Sequence, residues 1–456
     1  MSNKAIMLAA PSSGSGKTLI TCGILQALKN RGLKVASFKC GPDYIDPMFH
    51  RRAIGIEASN IDLFFCQEDM ARSLFEENSK DMEISIVEGV MGYYDGMSAA
   101  TEEGSSYDVS RTLGIPTVMI INAKGQSLSA MAVLKGISEF REDSNIVGVI
   151  FNNMSKHVYD SLKEEVKKLK GIQPLGYLPN SKDLVIESRH LGLITPMEIK
   201  NLTVKLNKLA DTIEESVELD KLLELAKGYE PSKTAAPQVQ KVAGTTKIAI
   251  ARDEAFCFYY KDNINLLKKM GADIVEFSPV HDDKLPENID GLILGGGYPE
   301  LYHKELLANA NMKESIKKAI SDGMPCLAEC GGFLYLHQKM EDIEGNSAAA
   351  LGLIEGNSFR TQKLNRFGYI TLEANEDNWL MEKGETIKGH EFHYFDSENC
   401  GSDLTAIKPI TGKSWQCMHI KDRLAVGFPH LFYHANPNVP KRFLEVAMKY
   451  AKERSK

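Results

Sequence analysis

The chain has 456 residues, 43% of them hydrophobic and 25% charged, with a formal net charge of -7. At roughly 150 residues per domain this length suggests two or three cores, and so ordinary a composition excludes a disordered or disulfide-built chain. The acidic balance speaks against broad nucleic-acid binding, which needs a basic face. An acidic small molecule would need local cations, of which Arg51, Arg52, Arg111, Lys124 and Arg189 are available.

The first residues lead straight into a glycine loop, with no cleavage-site pattern and no stretch long enough to span a bilayer, so a cytoplasmic protein without a membrane partner is expected. The 8 cysteines are scattered without CxxC spacing, which argues against a zinc site. KAIMLAA (4–10), LKVASFK (33–39), EISIVEG (83–89), IPTVMIINA (115–123) and IVGVIFNN (146–153) read as buried strands separated by room for helices. That alternation predicts an α/β fold with a parallel sheet covered on both faces.

From Lys227 the run KGYEPSKTAAPQVQKVAGTTK has no apolar period and reads as a linker. Strand-helix alternation restarts with KIAIARD, a helix over DNINLLKKMG, ADIVEFSPV, DGLILGGG, a helix over 305–323, and PCLAEC. The expected division is 1–226, linker 227–246, and 247–456.

The loop APSSGSGKT lies between a strand and a helix, where backbone amides and the helix dipole attract phosphate. Ser12, Ser13, Gly14, Ser15 and Gly16 are small enough to wrap an anion. Lys17 would supply a point charge to the outer phosphates of a nucleotide, and the Thr18 hydroxyl would reach a magnesium ion. Pro11 stands where the strict pattern has its first glycine; the competing reading is a flexible turn with a solvated lysine. Lys39, Asp43 and Asp46 in SFKCGPDYIDP, with Glu88 and Asp95 in SIVEGVMGYYDG, follow the next strands. A carboxylate beside a phosphate loop is where Mg2+ is held against a nucleotide, and Glu88 and Asp43 fit that place. Any one of these acids alone reads as a capping or solvated loop residue.

In the second half, Cys330 sits where an apolar strand meets Gly-Gly. A nucleophile on such a turn is exposed, with the following helix expected to lower its pKa and the Gly331 amide aimed at a developing oxyanion. Gly296 or Gly297 would offer a second amide. This is the arrangement for hydrolysing glutamine through a thioester; otherwise Cys330 is a small buried residue, as Cys326 is expected to be. Candidate bases are His430, His434, His390 and His393.

The segments APSSGSGKT, FKCGPDYIDPMFH, VEGVMGYYDG and GVIFNN together resemble the ATP-binding domain of the cobyrinic acid a,c-diamide synthase family, related in fold to dethiobiotin synthetase. VGFPHLF resembles the histidine segment of its class I glutamine amidotransferase domain. The resemblance covers nearly the whole chain and implies several things. The phosphate loop varies at its first position, Asn152 or Asn153 bonds the adenine, and His430 is the base, with Phe432 where other class I glutaminases carry glutamate. The expected acceptor is cobyrinate, amidated at its a and c side chains with L-glutamine and ATP. Asp46 and Asp95 then join Asp43 and Glu88 as candidates for positioning magnesium, the acyl phosphate or the substrate. A homodimer is left open as the assembly. The rivals are a diamide synthase of nickel-sirohydrochlorin or hydrogenobyrinate, a partitioning-type ATPase switch, and a ligase that uses free ammonia.

Overall fold

The computed structural model describes residues 4–455 except 182–183, 185–187, 190–191, 194–200, 235–238 and 365, so the centre of the expected linker and the side chain of Arg189 lie outside the description. The chain forms two compact units, Met1–Ala236 and Pro237–Lys456. Among the described residues no helix is long and apolar enough to cross a membrane.

The first unit is built on β1 (Lys4–Ala9), β2 (Val35–Cys40), β3 (Glu57–Ile61), β4 (Ile84–Glu88), β5 (Thr117–Asn122), β6 (Ile146–Asn152) and β7 (Gln173–Leu178). These run parallel in the order 3-2-4-1-5-6-7. β2 and β4 are buried along their whole length, as strands covered on both faces must be, and this explains their unbroken apolar character. Two strands escaped the sequence reading: β3 carries the polar Ser59 and Asn60, and β7 contains Pro174 and Gly176. Helix α1 (Lys17–Asn30) leaves the phosphate loop. A Cβ on its Gly23 would come within 2.7 Å of Ile213 Cγ1, so glycine there lets the helix Leu202–Ser216 pack against it.

The segment expected as a free linker is partly tied down. Lys227–Gly228 pairs antiparallel with Lys4 and Ala5, the Glu230 amide donates to Leu113 O (2.7 Å), and Thr234 Oγ1 bonds Asp69 Oδ2 (3.0 Å). Further on, the Val242 amide donates to Met270 O at 2.9 Å in the second unit. Most of these contacts use backbone groups, which leave no apolar period to read.

In the second unit the strands Ala272–Phe277, Thr246–Ala251, Gly291–Leu294, Cys326–Glu329 and Leu424–Gly427 run parallel in that order, with His419–Lys421 antiparallel at the edge. The helix expected over 305–323 is two helices, His303–Ala308 and Ala310–Ser321. Asn309 breaks it by capping the Met312 amide and bonding Pro279 O and Asp282 O through Nδ2. A further antiparallel sheet orders Ser414–Cys417, Leu404–Ile407, Phe367–Ala374, Thr386–Phe392 and His430–Leu431. Its last pairing sets His430 directly opposite His390.

Candidate active sites

The first site gathers at the carboxyl ends of β1, β2 and β4, the crevice where open parallel sheets take ligands. Gly16, in the left-handed region at φ 94°, is the N-cap of α1 and has no side chain to cap the helix, so the first-turn amides face the loop. Ser12, Ser13 and Gly14 are exposed, while Ser15 turns inward and donates to Ser12 O at 2.9 Å. The Lys17 ammonium lies across the loop, donating to Ser12 O (3.2 Å) and to Met91 O. Burial, and then the charge of Lys39, lower its pKa to about 8.

Beneath the loop lies a charged cluster. Thr18 Oγ1 donates to Glu88 Oε1 (2.7 Å) and lies 3.3 Å from Asp46 Oδ2; Lys39 Nζ reaches Glu88 Oε1 at 2.7 Å and Asp46 Oδ2 at 2.6 Å. Burial alone would lower Lys39, but Asp46 and Glu88 outweigh it and hold the ammonium well above its ordinary value. Burial, reinforced by Asp46, pushes Glu88 up, whereas Lys39 holds Asp46 down against its own burial. Glu88 Oε2 is buried without a hydrogen-bond partner, and His50 Nε2 lies 3.9 Å away. Thr18, Asp46 and Glu88 offer only oxygens, and one of these is a buried orphan, which suits a hard cation. Among the described residues no three acidic, histidine or cysteine side chains are grouped to hold an ion by themselves. Magnesium would therefore share its coordination with nucleotide phosphates and water, as it commonly does.

Asp43 and Asp95 stand at the margin. Asp43 Oδ1 accepts from the Ile45 and Asp46 amides (2.7 and 3.2 Å) and so shapes the turn that places Asp46; burial and Asp46 raise it to about 7. Asp95 Oδ2 accepts from the Gly92 amide at 2.9 Å. Asn152 reaches the phosphate loop: Nδ2 donates to Ser15 O (2.9 Å) and Oδ1 accepts from the Asn153 amide. The side chain thus props the phosphate loop from below. A Cβ on Gly16 would lie 2.1 Å from that Nδ2, which is why only glycine fits above it. Arg111 pairs with Asp108 and Arg51 donates to Ala58 O, so these cations are already engaged.

The second site forms where Cys326–Glu329 ends. Cys330 occupies φ 47°, ψ -102°, a strained conformation for a residue with a side chain, and opens the helix Gly331–Leu336. Its amide donates to Gly427 O at 2.8 Å, which ties the turn to the neighbouring strand. The expected lowering of the thiol pKa is not found. Burial pushes it up, aided by Glu300 and Glu391, and the Gly331 amide opposes this only in part; a helix of six residues brings a weak dipole. Cys326 is fully buried in the core, as expected.

The glycines define the space around the sulfur. A Cβ on Gly331 would lie 2.9 Å from Pro299 Cδ and 3.2 Å from Gly297 N, so the two glycines approach too closely for a side chain at 331. A Cβ on Gly296 would lie 2.4 Å from His430 Cε1, which shows the imidazole packed directly on that glycine. The Tyr259 hydroxyl accepts from the Gly295 amide (2.8 Å), and Gly295 O accepts from Gly332 (3.0 Å), fixing the loop from both sides.

The ring of His430 faces two side chains, and a third fixes the backbone after it. Nδ1 lies 3.5 Å from Glu329 Oε2, the ring stacks on His390 at 5.0 Å between centroids, and Asn263 bonds both Leu431 O and the Tyr433 amide at 2.8 Å. His390 shares a 3.1 Å hydrogen bond with the Tyr260 hydroxyl, and burial holds its pKa well below the ordinary value. His393 faces Glu391 and His434 faces Asp262 O, which accords with structural roles for both. Glu329, Tyr259 and Asn263 were missed by the sequence reading. Only Glu329 carried a signal, a lone charge closing an apolar strand next to the nucleophile.

Residues 6–193 match the family model described as the CobQ/CobB/MinD/ParA nucleotide binding domain, and residues 247–419 match the CobB/CobQ-like glutamine amidotransferase domain. A nucleotide-binding module and a glutamine amidotransferase module in one α/β chain define a glutamine-dependent ligase. Proteins named cobyrinate a,c-diamide synthase are similar along almost their whole length. That of Caldanaerobacter subterraneus is 38% identical, covering 97% of this chain and 98% of its own. That of Clostridium acetobutylicum is 40% identical (95% and 98%), and that of Picrophilus torridus 40% (97% and 99%). The chain belongs to the cobyrinate a,c-diamide synthase family.

Proposed function

We propose that the chain amidates the a and c carboxylates of cobyrinate, a step in forming cobalamin, with ATP as activator and glutamine as nitrogen donor. The observation that carries this reading is the pairing of the Lys17 phosphate loop with the Cys330 turn in one chain whose relatives bear that name. We assign activation to residues 1–226 and glutamine hydrolysis to 247–456.

A carboxylate resists ammonia because its carbon is a poor electrophile. Transfer of the γ-phosphoryl group of ATP to a carboxylate oxygen gives an acyl phosphate and ADP, and ammonia then displaces phosphate to leave the amide. Lys17 and the α1 amides would bind the transferring group, with Thr18, Asp46 and Glu88 as the oxygens available to magnesium. Bound with the nucleotide, the ion supplies charge neutralisation.

In the second unit the Cys330 sulfur attacks the glutamine amide carbon while His430 accepts the thiol proton and returns it to the departing ammonia. The Gly331 and Gly297 amides would bind the oxyanion. Water then cleaves the thioester to glutamate and restores the thiol. Because burial holds the thiol protonated, an adjacent base is required for this attack.

The test is incubation with ATP, glutamine and each of cobyrinate, hydrogenobyrinate and nickel-sirohydrochlorin, with the product mass read. Two amides added to cobyrinate support the reading; amidation of only one of the other macrocycles overturns the choice of acceptor.

A further inference from the structure

We infer that Glu329 is the positioning residue for His430, the carboxylate that orients the imidazole and stabilises its protonated form during glutamine hydrolysis. The inference rests on the cysteine-histidine reading above and names a third member for it. Glu329 ends the strand that delivers Cys330, so one backbone turn places nucleophile and carboxylate together. Its Oε2 lies 3.5 Å from His430 Nδ1, and its Oε1 accepts from the Leu431 amide at 3.3 Å. The carboxylate thus bonds the backbone just beyond the ring and stands within ion-pair distance of the ring itself. The usual carboxylate position two residues after the histidine holds Phe432, which is buried and packs edge-on against Tyr260. A carboxylate from the strand before the cysteine fills the same role from the other side of the site.

The physical need is plain. Proton transfer from the thiol leaves an imidazolium in a buried site, which persists as the sulfur bonds the amide carbon, and an uncompensated buried cation is costly. The ring stacked on His430 belongs to His390, which burial and His430 keep uncharged and which supplies no counter-charge. Glu329 supplies it. The same carboxylate also stands among the charges that push the Cys330 thiol up, together with Glu300 and Glu391. Its two influences therefore oppose one another, and this makes the inference testable by sign.

The experiment compares the full-length wild-type chain with E329Q, E329D and C330A. Glutamate release is measured, and so is the pH dependence of Cys330 alkylation by iodoacetamide, read on the Cys330 peptide by mass. Loss of the wrong-tautomer safeguard in a hydrolytic triad costs up to about 10⁴-fold in kcat. The longer 3.5 Å contact here leads us to expect a loss of about 100-fold in E329Q, at little changed KM for glutamine. Alkylation at neutral pH should slow and its midpoint move upward, with E329D intermediate in both readouts. Should E329Q fail to fold, E329D alone must show lower kcat and the upward midpoint. Glutaminase within threefold of wild type, or faster Cys330 alkylation in either variant, overturns the inference, the latter because Glu329 would then act mainly by repelling the thiolate. Continued glutamate release by C330A would instead bring down the cysteine-histidine reading itself.

Discussion

Thr18 Oγ1 lies 2.7 Å from Glu88 Oε1, joining the first turn of α1 to the end of β4. This contact fixes the spacing between a hydroxyl and a carboxylate that would share a metal ion. E88Q should raise the magnesium concentration for half-maximal ATP turnover with ammonia by about tenfold or more, since even the outer-shell partners of a bound metal typically change its affinity about 10–100-fold. An unchanged magnesium requirement would remove Glu88 from the ion's surroundings.

Lys39 is the cation between Asp46 and Glu88, all three being nearly inaccessible to solvent. K39A leaves two buried carboxylates without it, and breaking such a cluster from one side costs roughly 3–5 kcal/mol. Denaturant unfolding of the full chain should show the transition of the first unit displaced accordingly. Protonation of Glu88 is already favoured by burial, so the loss should be smaller at low pH than at neutral pH.

N152A should weaken ATP binding about tenfold, the equivalent of one buried hydrogen bond, because the Ser15 carbonyl loses its donor. Preference for ATP over GTP should stay as it is. A collapse of that preference would give Asn152 a role at the base.

Legibility of the two sites followed sequence distance. The phosphate loop and the Cys330 turn are continuous stretches whose spacing alone states their geometry. Asn152 under Ser15 is set by strand order, 137 positions apart, and Glu329 beside Leu431 by the approach of two sheets, 102 apart. No local pattern encodes either. The strand Phe367–Ala374 buries only every second residue, Ile370, Leu372 and Ala374, so it lacks the unbroken apolar run of the other strands, and β3 hides because Ser59 and Asn60 are buried polar residues in a sheet. The helix break at Asn309 is likewise a tertiary effect, since Asn309 bonds Pro279 O and Asp282 O thirty and twenty-seven positions before it.

The glycine under the histidine gives a sharper mutational test than a generic cavity. G296A would drive a methyl group into the His430 ring, whose Cε1 stands 2.4 Å from the place it would take. Displacing a catalytic group by about 1 Å can cost about 100-fold. Glutamate release should fall by that order, measured beside the ATP affinity of the same protein as a check on its integrity.

The central claim is that Cys330 releases the ammonia which the Lys17 site incorporates. Its most direct test is the product mass formed by C330A with ATP and cobyrinate, supplied either with glutamine or with ammonium. C330A should form no amide from glutamine and should form amides from ammonium at a rate near that of the wild-type chain. Equal loss of both activities, or amide still formed from glutamine, would contradict it.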